Sequence, residues 1–323
     1  MKHRVLQALK DGHGKFVSGG QLSGELDISR TAVWKHVAQL RKEGYSIVGQ
    51  PRSGYALVAA PDKLLPEVIR AGLDTRIIGC RIRYVTTTSS TNDLARAMAI
   101  EGSPDGTVVV AEEQTGGKGR AGRRWQCPAG AGLLFSLVLR PDLLPPETPR
   151  LTLVTAVAVA RGISASTGVE TGIKWPNDLL IGGRKVCGIL TEMAGEMDRV
   201  DFVVIGIGIN VNLGLKPISR GAADFASLDV EVGKRLDRAA ILRAVLREIE
   251  TWYSTYQRDG FAPVLAEWRS RSVTLGNRVT VTGPRETFEG LAVDVDDDGA
   301  LIVRVDSGED RRVLSGDVSV RPA

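Results

Sequence analysis

Ten consecutive residues, Gly116-Gly117-Lys118-Gly119-Arg120-Ala121-Gly122-Arg123-Arg124-Trp125, hold four glycines and four cations. Glycine lets backbone N–H groups approach an oxyanion that a Cβ would hold away, and Lys118, Arg120, Arg123 and Arg124 bring charge suited to a triphosphate or an adenylate. Residues 117–122 also fit G-x-G-x-x-G, but a dinucleotide site needs a helix opening directly from that motif. Here Pro128, Gly130 and Gly132 follow within ten residues of its end. No G-x-x-x-x-G-K-[ST] sequence is present, so P-loop chemistry is excluded as well. A phosphate-wrapping loop is the stronger reading, and a flexible basic surface loop is its competitor. All three histidines, His3, His13 and His36, fall in the first 36 residues, so the rest of the chain works without imidazole. That excludes Ser-His-Asp catalysis and His-ligated metal there. Cys80, Cys127 and Cys187 form no C-x-x-C pair and read as inert thiols, neither a zinc site nor a disulfide framework.

A loop of this kind needs a scaffold, and 323 residues exceed one ordinary core, so two or three domains are expected. With 43% hydrophobic and 25% charged residues the composition is that of a globular protein. Apolar runs such as Val203-Val204-Ile205 are short and bounded by glycine, far below the roughly 20 residues of a membrane span. Lys10, Asp11, His13 and Lys15 interrupt any secretion signal, which predicts a cytoplasmic protein with no membrane partner.

Charge is uneven along the chain. Residues 1–60 carry nine Lys/Arg against four acids, whereas the remainder is nearly neutral, so the first segment is the part built to meet a polyanion. Val5, Leu6 and Leu9 share a helical face before Asp11-Gly12. A second helix runs over Gln21–Leu26, Asp27-Ile28-Ser29 makes a turn, and Ser29 caps a third helix carrying Val33, Val37 and Leu40 before Gly44. This is helix-turn-helix spacing, with Ser29, Arg30, Thr31, Trp34, Lys35 and His36 near the free N-terminal half of the third helix as DNA contacts. Tyr45–Val48 and Tyr55–Val58 read as strands around Pro51-Arg52-Ser53-Gly54, a wing with Arg52 at its tip. The competing reading is a three-helix packing domain with a solvated face.

Ala59-Ala60-Pro61-Asp62 marks a boundary, and a helix is predicted over 64–73. Strands over 82–86, 107–112, 133–139, 185–192 and 201–210 then alternate with helices over 92–100 and 149–163, giving an α/β body. A further amphipathic helix carries Ile241, Leu242, Val245, Ile249, Trp252 and Tyr256. Near the end, Val279–Val281, Leu291–Val293 and Leu301–Val305 alternate around turns at Gly283-Pro284 and Asp297-Asp298-Gly299, a small β-barrel pattern. The acidic run Asp294–Asp298 reads there as a turn, not a metal site.

Ser90-Thr91-Asn92, Gln114, Gly117-Lys118-Gly119-Arg120, Lys174-Trp175-Pro176-Asn177-Asp178, Lys185 and Gly206-Ile207-Gly208-Ile209-Asn210 occur in an order that resembles the bifunctional biotin protein ligases. The likeness covers nearly the whole chain. It implies a winged helix-turn-helix (1–60), a central mixed-sheet catalytic domain (61–272) and an SH3-like barrel (273–323). It further implies ATP-dependent formation of biotinyl-5'-AMP, with Mg²⁺ arriving on ATP, and transfer of biotin to a lysine of a carboxylase carrier domain. A repressor bound to operator DNA, dimeric when it holds the adenylate, completes the expectation. A carboxylate is ionised at neutral pH and needs no base to attack phosphorus, so such a site positions reactants and neutralises charge.

By the same resemblance Ser90, Thr91, Asn92 and Gln114 meet the biotin head group. Gly117, Lys118, Gly119 and Arg120 enclose its carboxylate and the phosphate, and Lys185 is the leading catalytic cation. Gly188, Gly206 and Gly208 leave room for ligand. Arg123, Arg124, Trp125, Asn177 and Asn210 face the adenylate, and Asp178 serves the acceptor lysine or a cation. Simpler readings stand beside these: Trp125 and Trp175 as core aromatics, Lys185 as a solvated strand residue, Gly206 and Gly208 as strand irregularities, and Ser90-Thr91-Asn92 as a helix cap alone. Lys118 departs from the usual Gly-Arg-Gly-Arg and lacks the bidentate fork. A non-catalytic ligand-sensing repressor or a lipoate-type ligase are the alternative functions; the His-ended glycine segment of the latter has no counterpart here.

Overall fold

Local signals set the first 59 residues. Helix α1 (Lys2–Asp11) stops at Gly12. Ser18 Oγ accepts from the Gln21 amide to start α2 (Gly19–Leu26), two residues earlier than the apolar spacing predicts. Ser29 Oγ accepts from the Ala32 amide to start α3 (Arg30–Lys42). Asp27 takes a left-handed turn between the two, with φ 52°. Strands β1 (Ser46–Gln50) and β2 (Gly54–Ala59) pair antiparallel, and Arg52 lies in the turn joining them. Gly54 is required there: its φ is +106°, and a Cβ would lie 2.0 Å from the Val17 carbonyl oxygen. Val5, Leu9, Leu22, Val33, Val37 and Leu40 form the core beneath. This is the winged helix-turn-helix that the sequence predicts.

A computed structural model describes residues 1–59, 62–214, 225–283, 286–314 and 316–320. Ala60 and Pro61 of the expected boundary, and Pro284 of the expected turn, lie outside the described residues. The chain divides into two units, Met1–Asp62 and Lys63–Ala323.

The second unit opens with α4, which spans only Pro66–Arg70 and not the predicted 64–73. Proline starts the helix at its first turn, and Gly72 leaves helical space at φ +89°. Then come β3 (Ile82–Thr88), α5 (Thr91–Ile100), β4 (Thr107–Gln114), β5 (Gly132–Leu139), α6 (Thr148–Thr167), β6 (Gly172–Lys174), β7 (Asp178–Ile181), β8 (Arg184–Gly195) and β9 (Val200–Asn210). Helices α7 (Leu228–Val232), α8 (Arg238–Asp259) and α9 (Ala262–Arg271) follow. The strands form one mixed sheet in the order β3-β4-β5-β9-β8-β7-β6, parallel only between β3 and β4. Helix α5 covers one face, setting Ala95 and Ala99 against Val109, Val138 and Val204. The opposite face packs on α6 and α8 through Phe135, Val157 and Val245.

Strands β10 (Arg278–Thr282), β11 (Thr287–Val295), β12 (Leu301–Arg304), β13 (Asp310–Val313) and β14 (Asp317–Val320) make a small antiparallel sheet. It is fastened to the central body by Trp175 Nε1 donating to the Gly299 carbonyl (3.0 Å), by Arg150 on Asp298 and by a bidentate Arg269–Asp294 pair. Asp294 of the acidic run ends up in β11 and Asp296–Asp298 form the turn expected, in which Asp296 accepts from the amides of Asp298 and Ala300.

Candidate functional site

The α5 face of the sheet carries a row of opposed residues: Lys174 on β6, Asp178 on β7, Gly188 on β8 and Gly208 on β9. Side chains project from β9 on this face at Val204, then stop at Gly206 and Gly208, because α5 and the glycine loop fill that space. A Cβ at Gly206 would sit 2.1 Å from Asn92 Oδ1, and one at Gly208 2.4 Å from the Trp125 ring. The glycines are thus sites of close approach and not merely strand irregularities. A cavity of about 240 Å³ remains between sheet, α5 and loop.

Lys185 reaches this cavity because of a bulge. Strand alternation would place a residue three positions before Gly188 on the opposite face. The pairing instead passes from Leu179↔Cys187 to Leu180↔Lys185, leaving Val186 extra and returning Lys185 to the cavity side. Its Nζ lies 2.6 Å from Asp178 Oδ1 and 5.6 Å from the centre of the Trp125 ring. Lys185 is consequently not a solvated strand residue.

One end of the cavity is lined by the uncharged Thr91, Asn92 and Gln114 and is tightly bonded, with the Glu192 carboxylate behind it. The Thr91 amide and Oγ1 both donate to Gln114 Oε1 (2.6 and 3.0 Å), Ser136 Oγ lies 2.7 Å from Thr91 Oγ1 and 2.6 Å from Asn92 Oδ1, and Asn92 Nδ2 donates to Glu192 Oε2 (2.6 Å). Ser90 is the N-cap of α5, yet its side chain makes no cap bond. Capping therefore does not account for this segment.

The other end is cationic. Gly119 N donates to the Arg123 carbonyl, and the loop makes a single 3-10 turn over Arg120–Gly122, broken at Ala121, without opening an α-helix, as expected for a non-Rossmann loop. Arg120 spans two elements, donating to Asn177 Oδ1 and to the Gly316 carbonyl, both at 3.1 Å. Burial pulls its pKa down while Asp317 and Asp178 oppose that. Arg123 pairs with Asp317 at 2.6 Å, Lys118 pairs with Asp93, and Arg124 is exposed at the rim. The Trp125 indole N–H is buried without a hydrogen-bond partner among the described residues. Trp175, by contrast, is a core aromatic, 2% exposed.

Of the residues singled out from the sequence for this site, all but Gly117 and Asn210 line the cavity. Gly117 closes the base of the loop, its carbonyl accepting from the Trp125 amide (3.0 Å). Asn210 is buried behind the wall, its Nδ2 donating to the Ala226 carbonyl (3.1 Å) beside the lining residue Phe225. Sequence reasoning missed Ser136, Glu192, Asp93 and Phe225. Ser136 did leave a signal, as the one polar residue in the apolar run Leu133–Leu139. Burial pushes the Cys127 thiol up to about 12 and raises Cys187 as well, which fits inert thiols, whereas Cys80 is exposed.

In the first unit the α3 stripe Val33, Val37 and Leu40 is buried. Arg30, Thr31, Lys35 and Trp34 are exposed, the last at 57%, His36 is half-buried and Arg52 is exposed in the wing turn. Ser29 is occupied as the cap of α3.

Residues 84–210 match the biotin/lipoate A/B protein ligase family, residues 2–56 an HTH domain and residues 274–321 the biotin protein ligase C-terminal domain. Over 321 residues the chain is 41% identical to the bifunctional ligase/repressor BirA of Bacillus spizizenii, covering 99% of this chain and 98% of that one. The chain belongs to the bifunctional biotin ligase/repressor family. A more distant member, the Escherichia coli protein of the same name, is 30% identical over 315 residues, 96% of this chain and 95% of that one. Among solved structures, the biotin protein ligase from Aquifex aeolicus in complex with biotin and ATP superposes with a TM-score of 0.65 at 28% identity. It covers 76% of this chain and 100% of its own.

Proposed function

We propose that this chain couples biotin to ATP, forming biotinyl-5'-AMP and pyrophosphate, then transfers biotin to a lysine of a carboxylase carrier domain, and that it represses an operator in response to biotin. The observation that carries the reading is the polarity of the cavity. A neutral hydrogen-bonding end, built on Thr91, Asn92 and Gln114, faces a cationic end built on Lys185 and Arg120. A neutral cyclic urea with an acidic tail fits that sequence of environments, and family membership names the compound.

In the first step a biotin carboxylate oxygen attacks the α-phosphorus of MgATP and pyrophosphate leaves. In the second, the acceptor amine attacks the acyl carbon and AMP leaves. Ser90, Thr91, Asn92 and Gln114 hold the head group, with Gly188, Gly206 and Gly208 as its floor. Lys185, Arg120 and Lys118 offset the charge that gathers on carboxylate and phosphate, while Gly117 and Gly119 let the loop close around them. Trp125, Arg123, Arg124 and Asn177 serve the adenylate, and Asn210 acts from behind by holding Ala226. Asp178 is the lining carboxylate available to the acceptor amine.

Residues 1–60 are assigned to DNA, 61–272 to catalysis and 273–323 to support of the loop. Arg30, Thr31, Trp34, Lys35 and His36 enter the major groove with Ser29 as cap, and Arg52 meets the backbone from the wing. Binding of the adenylate orders the loop region and lowers the cost of forming a two-fold dimer, so two winged helices meet inverted half-sites. The work is done in the cytoplasm; among the described residues no helix is long and apolar enough to cross a membrane.

The test is pyrophosphate release with ATP and either biotin or lipoate, together with operator affinity and sedimentation measured without ligand, with biotin and with a non-hydrolysable adenylate analogue. Release with biotin alone, and a tighter, dimeric operator complex only with the analogue, are expected. Release with lipoate but not biotin would reverse the substrate assignment, no release would leave a ligand-sensing repressor, and equal affinities in all three conditions would remove the coupling.

A further inference from the structure

Lys174 is left without a role by these assignments. It ends β6 opposite Asp178, and the same transverse row continues into Gly188 and Gly208. Opposed residues of an antiparallel pair share a face with Cβ atoms about 5 Å apart, so Lys174 and Asp178 both stand on the cavity side. Asp178 Oδ1 is held at 2.6 Å by Lys185, whereas among the described residues no carboxylate lies within 4.0 Å of the Lys174 ammonium. Burial lowers the pKa of Lys174, and the field of Asp178 is the largest influence working against that.

The close Lys185–Asp178 pair creates a difficulty for catalysis. Lys185 cannot give its full charge to a ligand carboxylate or phosphate while Asp178 holds it. When it turns away, Asp178, with only 22% of its side chain exposed, is left as an uncompensated carboxylate beside an arriving anion. We propose that Lys174 is a positioning residue for the activation step, the second cation of Asp178, which takes over that carboxylate as Lys185 moves onto the ligand. The four-carbon lysine stem gives Lys174 the reach to close onto Asp178 from the neighbouring strand. This inference rests on the reading that the cavity activates biotin.

A double-mutant cycle tests it in the full-length chain, using Lys174→Gln, Lys174→Arg, Asp178→Asn and the Lys174→Gln/Asp178→Asn pair, with melting temperatures recorded alongside. In biotin-dependent pyrophosphate release Lys174→Gln should lower kcat by roughly tenfold, the usual size for coupled charges in contact, while KM for biotin moves less than about twofold. Lys174→Arg should recover most of the rate. In the Asp178→Asn background removal of Lys174 should cost little more. An equal loss in both backgrounds, or no loss in either, overturns the proposal. A second measurement needs no turnover: acetylation of Lys185 by acetic anhydride in the unliganded protein, read by mass spectrometry. Lys174 repels the Lys185 ammonium, so with Lys174 gone the Asp178 pair should tighten and labelling slow several-fold in Lys174→Gln, while the double variant, which also lacks the carboxylate that holds Lys185, should label at least as fast as wild type. Unchanged labelling overturns the inference even if the wild-type protein activates some other acid, an outcome that would count against the substrate reading alone. A Lys174→Gln chain that melts early is replaced by Lys174→Met, which keeps the apolar stem.

Discussion

The winged-helix unit and the cavity of the second unit both present cations, and they hold them differently. On α3 and the wing, Arg30, Lys35 and Arg52 stand in solvent, and none of them pairs with an acid among the described residues. In the cavity Lys185, Lys118 and Arg123 are already engaged by Asp178, Asp93 and Asp317, and Arg120 by Asn177 and the Gly316 carbonyl. Exposed cations give affinity that salt erodes, suited to finding DNA by attraction and leaving it again. Cations held by partners start beside the place where charge develops, and the half-buried Lys185 and Arg120 are screened less than those in solvent, as charge stabilisation in a reaction requires.

Removing a held cation should therefore do far more damage than removing a free one. Lys185→Ala is expected to lower adenylate formation by on the order of 100- to 1,000-fold, as loss of one preorganised stabilising group does. Its melting temperature should stay near wild type, because Lys185 belongs to no apolar cluster and is 27% exposed. Pyrophosphate release and thermal melting in one preparation check both halves; near-normal turnover would remove Lys185 from the mechanism, and a collapsed melting temperature would make it structural. Gly206→Ala comes next. The new methyl would meet Asn92 Oδ1 and force that side chain off Ser136 and Glu192, a loss of two hydrogen bonds worth about 1–1.5 kcal/mol each that should lower the melting temperature, and biotin affinity by calorimetry should fall because the displaced side chain lines the head-group end. Biotin bound as tightly as by wild type would mean that the neutral end is not where the head group sits.

The same contrast governs what the sequence discloses. The first unit is legible almost throughout because its signals are local: Ser29 as a cap, the Val33-Val37-Leu40 stripe, and an excess of cations within 60 residues. The glycine loop is legible for the same reason. What selects Lys185 is not local, since it depends on the Val186 bulge and on pairing between strands joined by a two-glycine turn at Gly182-Gly183. β6 and β7, with three and four residues, are too short for alternation to show, so the Lys174–Asp178 row could not be seen before the sheet was assembled. Glu192 belongs to the same class: it sits near the end of a long strand and acquires meaning only when Asn92 arrives from another element.

On the free-cation side the effect should be smaller and salt-dependent. Lys35→Ala is expected to weaken operator binding about tenfold at low salt, and to reduce the slope of log affinity against log salt by about 0.9, the signature of one lost phosphate contact. Ligation should be unchanged. A loss that salt does not alter would mean that Lys35 reads a base edge instead, bringing it closer in kind to the held cations.

Lys118 is where the two kinds of cation meet, and it should give the smallest effect. It lines the cavity and is paired, yet its partner Asp93 and Lys118 itself are 46% and 43% exposed, so their attraction is largely screened. Asp93 raises the Lys118 pKa, so the ammonium is charged throughout the neutral range and a change of pH between 6 and 8 should not act through it. Replacing it by arginine restores the fork usual in the family while leaving the charge and the exposed pair in place. An exposed ion pair is worth about 0.2–1 kcal/mol, so Lys118→Arg should shift KM for ATP by less than about fivefold and leave kcat nearly unaltered. Steady-state kinetics at two salt concentrations decide the matter, because a screened contact also weakens as salt rises. A gain above about tenfold that survives high salt would show that residue 118 leaves Asp93 and grips phosphate with both arms of the fork in a water-poor site. Lysine at this position would then be a weakened member of the held set, and the boundary between the two kinds of cation would run through the rim of the loop and not inside it.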